Sequence, residues 1–333
     1  MFSWNKVLWD SLRSRVEQMP HAVLFQGPEG VGKLALAERL ATRLLCESPT
    51  SDSEPCGHCE GCRWVASGNH PDLRRVEPEA LAGAAAQAEE DERETRSARR
   101  AKPSAEIRVD QIRELSDFLY LGSHRGRRRV AIVHPAESMN VHAANALLKG
   151  LEEPPAGAMF LLVAHHPARL LATIRSRCVV AAVPRPGEAA GLAWLESELK
   201  DGSQARRWLA FAGGAPRLAQ EYADGERGAR VAPLLEAIAR GAVADLPEAT
   251  ERESLECLAE VLQKHAIDQA ATALAGRSIY GTAGAAPGKR RATALDWANF
   301  ARRMGRARVL ARHPVNPRLF SAEMISDISK LAS

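Results

Sequence analysis

The segment GPEGVGK at 27–33 has the spacing G-x-x-x-x-G-K. Glycines at Gly27, Gly30 and Gly32 let backbone N–H groups curl round a phosphate, and Lys33 reaches its terminal oxygens. Such a loop needs a buried strand before it and a helix after it, whose N-terminus adds partial positive charge. The sequence supplies both, as a short apolar run at 22–25 and a strongly periodic stretch from Lys33 onward. Hydrolysis needs more than a cradle. Leu34 stands where Ser or Thr would ligate Mg²⁺, and the apolar run 130–133 ends on His134-Pro135, where Asp or Asp-Glu would hold the cation and polarise water. Leucine and proline offer neither ligand nor base, and neutral histidine is a poor partner for a hard cation. The sequence predicts a site unable to hydrolyse nucleotide. ATP or ADP held without turnover and a vestigial strand-to-helix turn both stay open.

The second group is Cys56, Cys59 and Cys62, spaced C-x-x-C-x-x-C, with Cys46 upstream. Four soft thiolates suit tetrahedral Zn²⁺, and a set with no open position is structural rather than catalytic. His58 and His70 are substitutes if Cys46 belongs to the core, and a redox-active C-x-x-C is the competing chemistry. Cys178 and Cys257 are isolated and read as small buried hydrophobes.

Around these groups, short apolar runs at 22–25, 130–133 and 159–164 alternate with helical periodicity at 109–119 and 143–153. That alternation predicts an α/β domain with a parallel sheet covered on both faces. Residues 1–18 read as an amphipathic helix with Trp4, Val7, Leu8, Leu12 and Val16 on one face. Residues 79–105 are Ala-rich and highly charged, and read as a solvated or partly disordered insertion, or a fraying helix held by opposite charges one turn apart. After Pro184 the strand signal stops. The expected organisation is an α/β domain at 1–184 with the cysteine module at 46–62, a small helical lid at 185–228, and an all-α C-terminal domain at 229–333.

A length of 333 residues suits two or three domains, and 45% apolar with 26% charged residues suits large buried cores. The run 159–164 falls far short of the ~20 residues of a membrane helix, and the start carries no apolar stretch of signal-peptide length. A cytoplasmic, membrane-free protein is expected. A net charge of +4 says little about partners. Nine Lys/Arg and one acid, Asp296, lie between Lys289 and Arg318, with Trp297, Phe300, Met304, Ala307 and Ala311 at packing intervals. That run is a solvated face, a protein contact or a DNA contact; residues 125–129 form a second basic patch with the same choices.

The defective phosphate loop, the four-cysteine insert, NALLKGLEEPP at 145–155 and TIRSRC at 173–178 together resemble the delta-prime family of DNA polymerase III clamp-loader subunits. The resemblance weakens in the C-terminal third, where NPRLF at 316–320 is similar. It implies a AAA+ fold with a zinc-binding insert, a helical lid and a C-terminal collar. It implies assembly with gamma/tau motor subunits and a delta subunit, loading a sliding clamp onto primed DNA. The SRC arginine, here Arg177, would act as a finger on ATP bound by a neighbouring motor subunit, with Ser176 and Cys178 holding the turn. Arg217 falls where the family places a second sensing arginine, to bind phosphate weakly or only to pack. Ala164-His165 replaces a polar sensor, and His165 and His166 are expected to face solvent. An active gamma/tau-type ATPase and a zinc-dependent nucleic-acid-binding protein are the alternatives.

Overall fold

The computed structural model describes residues 2–81, 104–121, 128–283, 292–311, 313 and 315–332. The chain divides into two compact units, Met1–Arg185 and Pro186–Ser333. The predicted collar, and the predicted lid from Pro186 onward, fall in the second. Most of the 79–105 insertion, part of the 125–129 patch, and Lys289, Arg290, Arg291 and Arg312 of the basic run fall outside the described residues.

The first unit is built on five parallel strands, β1 (Ala22–Gln26), β2 (Leu73–Val76), β3 (Arg129–Val133), β4 (Ala158–Ala164) and β5 (Val179–Ala182), in the order β2-β3-β4-β1-β5. Strands β3 and β4 are buried throughout, and β1 up to its last residue, as strands on a two-sided sheet must be; apart from Arg129 at the start of β3 the buried residues are apolar. The edge strands differ. Arg74 and Arg75 of β2 face solvent, as do Val179 and Val180 of β5.

Helices α1 (Lys6–Arg13), α2 (Lys33–Leu45), α3 (Glu60–Ala66), α4 (Val109–Tyr120), α5 (Val141–Glu152) and α6 (Ala172–Arg175) complete this unit. Ile112, Leu115, Leu147 and Ile174 bury themselves with Leu24, Phe160 and Leu162 of the sheet. Asn140 caps α5 by accepting the Ala143 amide at 2.8 Å, and the helix stops before Pro154-Pro155 because proline cannot continue it. Register sets Gln26 beside Ala164 and Ala182, and Val133 beside Leu162 and Val76. The carboxyl ends of all five strands therefore open on one edge, where open α/β sheets bind ligands.

The amphipathic N-terminal segment departs from its expected face. It breaks into a 3₁₀ turn, α1 and a second 3₁₀ turn; Trp9 and Val16 are buried, but Val7 is exposed. The indole of Trp9 is drawn inward by a polar partner in the cysteine module, described below.

The second unit is all-helical: α7 (Glu188–Glu198), α8 (Ala205–Phe211), α9 (Pro216–Asp224), α10 (Glu226–Ala239), α11 (Arg252–Ala275), α12 (Ala294–Leu310) and α13 (Pro317–Ala332). Trp297, Phe300, Met304, Ala307 and Ala311 form the packing face that their spacing predicts, while Arg302, Arg303 and Arg306 lie outside. Its most charged buried feature is Glu260 of α11. The carboxylate receives Tyr222 Oη and Arg227 Nη2, each at 2.7 Å, with Lys264 Nζ at 2.8 Å.

Candidate functional site: a closed phosphate loop, a four-cysteine centre and a presented arginine

Gly27 leaves β1 at φ +155°, and a Cβ there would lie 2.3 Å from the Val183 carbonyl oxygen. Gly32 precedes α2 at φ +89°, and a Cβ there would strike the ring of Phe2 at 2.4 Å. Only glycine fits either place. The N-terminal segment lies over this loop: the Trp4 indole donates to the Val31 carbonyl at 3.0 Å, and Asn5 Nδ2 donates to the same oxygen at 3.3 Å. Phe2 stacks on Trp4 with ring centroids 4.8 Å apart.

Lys33 is buried, and its ammonium turns back on the loop, donating to the carbonyls of Gly27, at 2.8 Å, and Pro28. Burial pulls Lys33 down to about 8, with Glu29 and Glu137 opposing that pull. Leu34 is half-buried and offers no oxygen to a cation.

Beyond the loop, the strand ends carry side chains that sequence reasoning assigned differently or missed. His134 follows β3, with Nδ1 3.1 Å from Glu77 Oε1 and Nε2 3.2 Å from His165 Nε2. His165 is therefore not the solvent-facing residue that its loop position suggested; its imidazole packs edge-on against His134. Burial and nearby Lys33 push His165 down to about 3, so it is neutral at physiological pH. His166 is exposed, as expected. Glu137 accepts both the His165 and His166 amides at 2.8 Å through Oε1, while Oε2 is buried without a hydrogen-bond partner. Glu77 and Glu137 come from a strand end and a 3₁₀ turn that carry no motif, so only the fold reveals them.

The four cysteines converge. The sulfurs of Cys46, Cys56, Cys59 and Cys62 all lie within 4.8 Å of one another. Amides support them: Cys56 N–H donates to Cys46 Sγ at 3.3 Å, Cys59 N–H to Cys56 Sγ at 3.4 Å, and Cys62 N–H to Cys59 Sγ at 3.3 Å. Burial pushes Cys46 and Cys62 up; Cys59 is raised by burial too, but the Glu47 and Cys62 amides bring it down to about 6. Four clustered thiolates repel one another, and a cation among them removes that repulsion. The donor set thus fits a soft metal ion. Neither histidine alternative joins it: His58 Nδ1 contacts the Cys56 carbonyl at 2.9 Å, and buried His70 Nδ1 accepts the Asp72 amide at 3.0 Å.

The module is wired to the N-terminal segment. Glu54 Oε1 accepts the Trp9 indole N–H at 2.6 Å, and its Oε2 takes Arg39 Nη2, also at 2.6 Å. Arg39 stacks over Trp9 at 5.0 Å. Arg39 also lines a cavity of about 130 Å³ with Phe2, Asn5 and Gly32, so one arginine touches module, helix α2 and N-terminal cover.

Arg177 lies in the turn between α6 and β5. Its Nη1 donates to the Thr173 carbonyl at 2.9 Å, and its Nη2 meets Glu152 Oε1 at 2.7 Å. Ser176 Oγ donates to the same carbonyl at 3.1 Å. Cys178 is half-buried against the core, and Cys257 is buried. In the second unit, Arg217 is exposed on the first turn of α9.

A sheet ordered β2-β3-β4-β1-β5 with a glycine-rich phosphate loop after β1, between β4 and β5, is the fold of a AAA+ module, here with leucine, histidine and proline at the cation and base positions. The family model described as DNA polymerase III, delta subunit, matches residues 5–186, and the chain belongs to that family. DNA polymerase III subunit delta' of Pseudomonas aeruginosa is 44% identical over 222 residues, 66% of this chain and 60% of that protein. Its Escherichia coli K12 counterpart is 34% identical over 220 residues, 66% of this chain and 59% of that protein. DNA polymerase III subunit tau of Salmonella typhimurium is 36% identical over 159 residues, covering 48% of this chain and 21% of that protein. The matches thus span about 60% of the length of the delta' relatives named here. Among the described residues, no helix is long and apolar enough to cross a membrane.

Proposed function

We propose that the chain is a non-hydrolysing clamp-loader subunit that supplies Arg177 in trans to ATP held by a neighbouring motor subunit. The observation that carries the reading is Lys33, buried and turned onto its own loop carbonyls, beside Leu34, His134 and Pro135. A loop in that state has neither a free ammonium for a γ-phosphate nor the ligands for Mg²⁺. ATP or ADP, if bound through Gly27, Gly30, Gly32 and Lys33, stays unhydrolysed. A guanidinium set against a neighbour's γ-phosphate stabilises charge that develops in the transition state, worth about 10³–10⁵ in rate where arginine fingers act.

The partners in this reading are gamma/tau-type motor subunits and a delta subunit, acting together on a sliding clamp and primed DNA in the cytoplasm. In this reading the residues up to 228 act as the lid and those from 229 onward as the collar, which provides the subunit contacts. The four cysteines hold a structural Zn²⁺ that fixes the 46–62 module and takes no part in chemistry.

A second reading, an autonomous ATPase, has one observation on its side. Glu137 Oε2 is a buried carboxylate oxygen without a hydrogen-bond partner, and its charge reaches Lys33. Incubating the purified chain with Mg·ATP decides between them. The proposal expects no turnover above background, unchanged by Lys33→Ala or Glu137→Gln. Steady turnover abolished by either substitution would establish the ATPase instead.

A further inference from the structure

The proposed finger is not free in this chain. Nη2 of Arg177 meets Glu152 Oε1 at 2.7 Å, and Nη1 is committed to the Thr173 carbonyl at 2.9 Å and leans on Ser176 Oγ at 3.4 Å. Both terminal nitrogens thus face the chain's own oxygens. A phosphate is gripped best by a parallel pair of N–H groups, and here both terminal nitrogens already serve oxygens of this chain.

Glu152 comes from the last turn of α5, a different element from the α6–β5 turn that carries Arg177. Its position is otherwise unfavourable. Glu152 and Glu153 stand at a helix C-terminus, where exposed carbonyls already concentrate negative charge. The guanidinium relieves that crowding, so the contact has a physical cause. It is also weak enough to break: Arg177 and Glu152 side chains keep 35% and 51% of their exposure. Ion pairs this exposed are marginal and screened by salt. A triphosphate carries more charge than one carboxylate and can outbid it, but a carboxylate left beside the reacting phosphoryl group would oppose the same charge.

We infer that Glu152 is a docking carboxylate for Arg177, holding the finger against its own subunit until a neighbour's nucleotide takes the guanidinium away. Glu152 is a positioning residue that touches no substrate. This inference rests on the trans-finger reading above. It adds a setting to that finger: the fraction of time Arg177 is undocked limits how often it meets the neighbour's γ-phosphate.

The test uses the assembly reconstituted from this chain and its motor subunits, carrying Glu152→Gln, Arg177→Ala, both, or Glu152→Asp. Glutamine keeps the shape and removes the charge, and it relieves the helix end, so folding is preserved. Releasing an exposed pair raises the ATP turnover number by about two- to fivefold at low salt, without changing KM for ATP. The gain shrinks as ionic strength rises, because salt undocks the wild-type finger too. It vanishes in the Arg177→Ala background, and Glu152→Asp stays near wild type. Turnover lowered or unchanged by Glu152→Gln, where Arg177→Ala lowers it, overturns the docking inference and leaves the finger standing. An equal gain in the Arg177→Ala background overturns it as well. No effect of Arg177→Ala removes the finger itself, and the docking role falls with it.

Discussion

The ammonium of Lys33 donates to the carbonyl of Gly27 at 2.8 Å, closing the phosphate loop on itself from the end that should face a ligand. Unfolded lysine titrates near 10.4, whereas burial lowers Lys33 to about 8. Between those values the folded chain binds fewer protons than the unfolded one, so wild-type stability rises with pH through that window. Lys33→Met removes the titration. Its stability relative to wild type should therefore fall between pH 8 and pH 10.4, read from denaturant unfolding at several pH values. A difference that stays constant would contradict the buried, charged placement of Lys33.

Metal should be a stoichiometric part of the fold. Zinc analysis is expected to give about one ion per chain, and Cys59→Ser should lose it and unfold at a lower temperature. A metal-free chain that melts as wild type does would rule the centre out.

Glu54 should couple the cysteine module to the N-terminal segment. Burial pushes its carboxyl up, but the Trp9 indole, Arg39 and Arg13 outweigh that and hold it below the ordinary glutamate range. A carboxylate lowered on folding contributes stability above its unfolded pKa and loses it as pH falls through the folded value. Glu54→Gln should cost roughly 1 kcal/mol at pH 7, and that cost should fade in acid. Equal costs at pH 7 and in acid would show that packing, not charge, makes the link.

In the second unit, Glu260 is the anion for Lys264, Arg227 and, at 3.7 Å, Arg308. Burial works against its ionisation, but these cations hold it well below the usual carboxylate range. Glu260→Ala leaves buried Lys264, and half-buried Arg227 and Arg308, without their partner and should cost about 3–5 kcal/mol in denaturant unfolding. A loss under 1 kcal/mol would mean that the cations reach solvent.

Much of the scaffold was legible because its chemistry is local. Strands β1, β3 and β4 are unbroken apolar runs, and the phosphate loop and the C-x-x-C-x-x-C cluster each lie within seven residues. Strand β2 was missed because Arg74 and Arg75 interrupt it, as an edge strand permits. Val7 was misplaced because Trp9, roughly half a turn round the helix from it, is pulled inward by Glu54, which lies 45 positions along the chain. His165 looked like a loop residue until β3 and β4 were set side by side, bringing His134 against it. Glu77 and Glu137 carry no signature, and Glu152 sits in NALLKGLEEPP without any sign of its partner, since each matters only through a group that the fold delivers from elsewhere.

ATP turnover by the reconstituted assembly containing Arg177→Ala tests the central claim most directly. Hydrolysis at any motor site that Arg177 serves should fall by on the order of 10³ or more, removing that share of turnover while the subunits still co-purify. Turnover equal to wild type in an intact assembly would contradict a finger supplied by this chain.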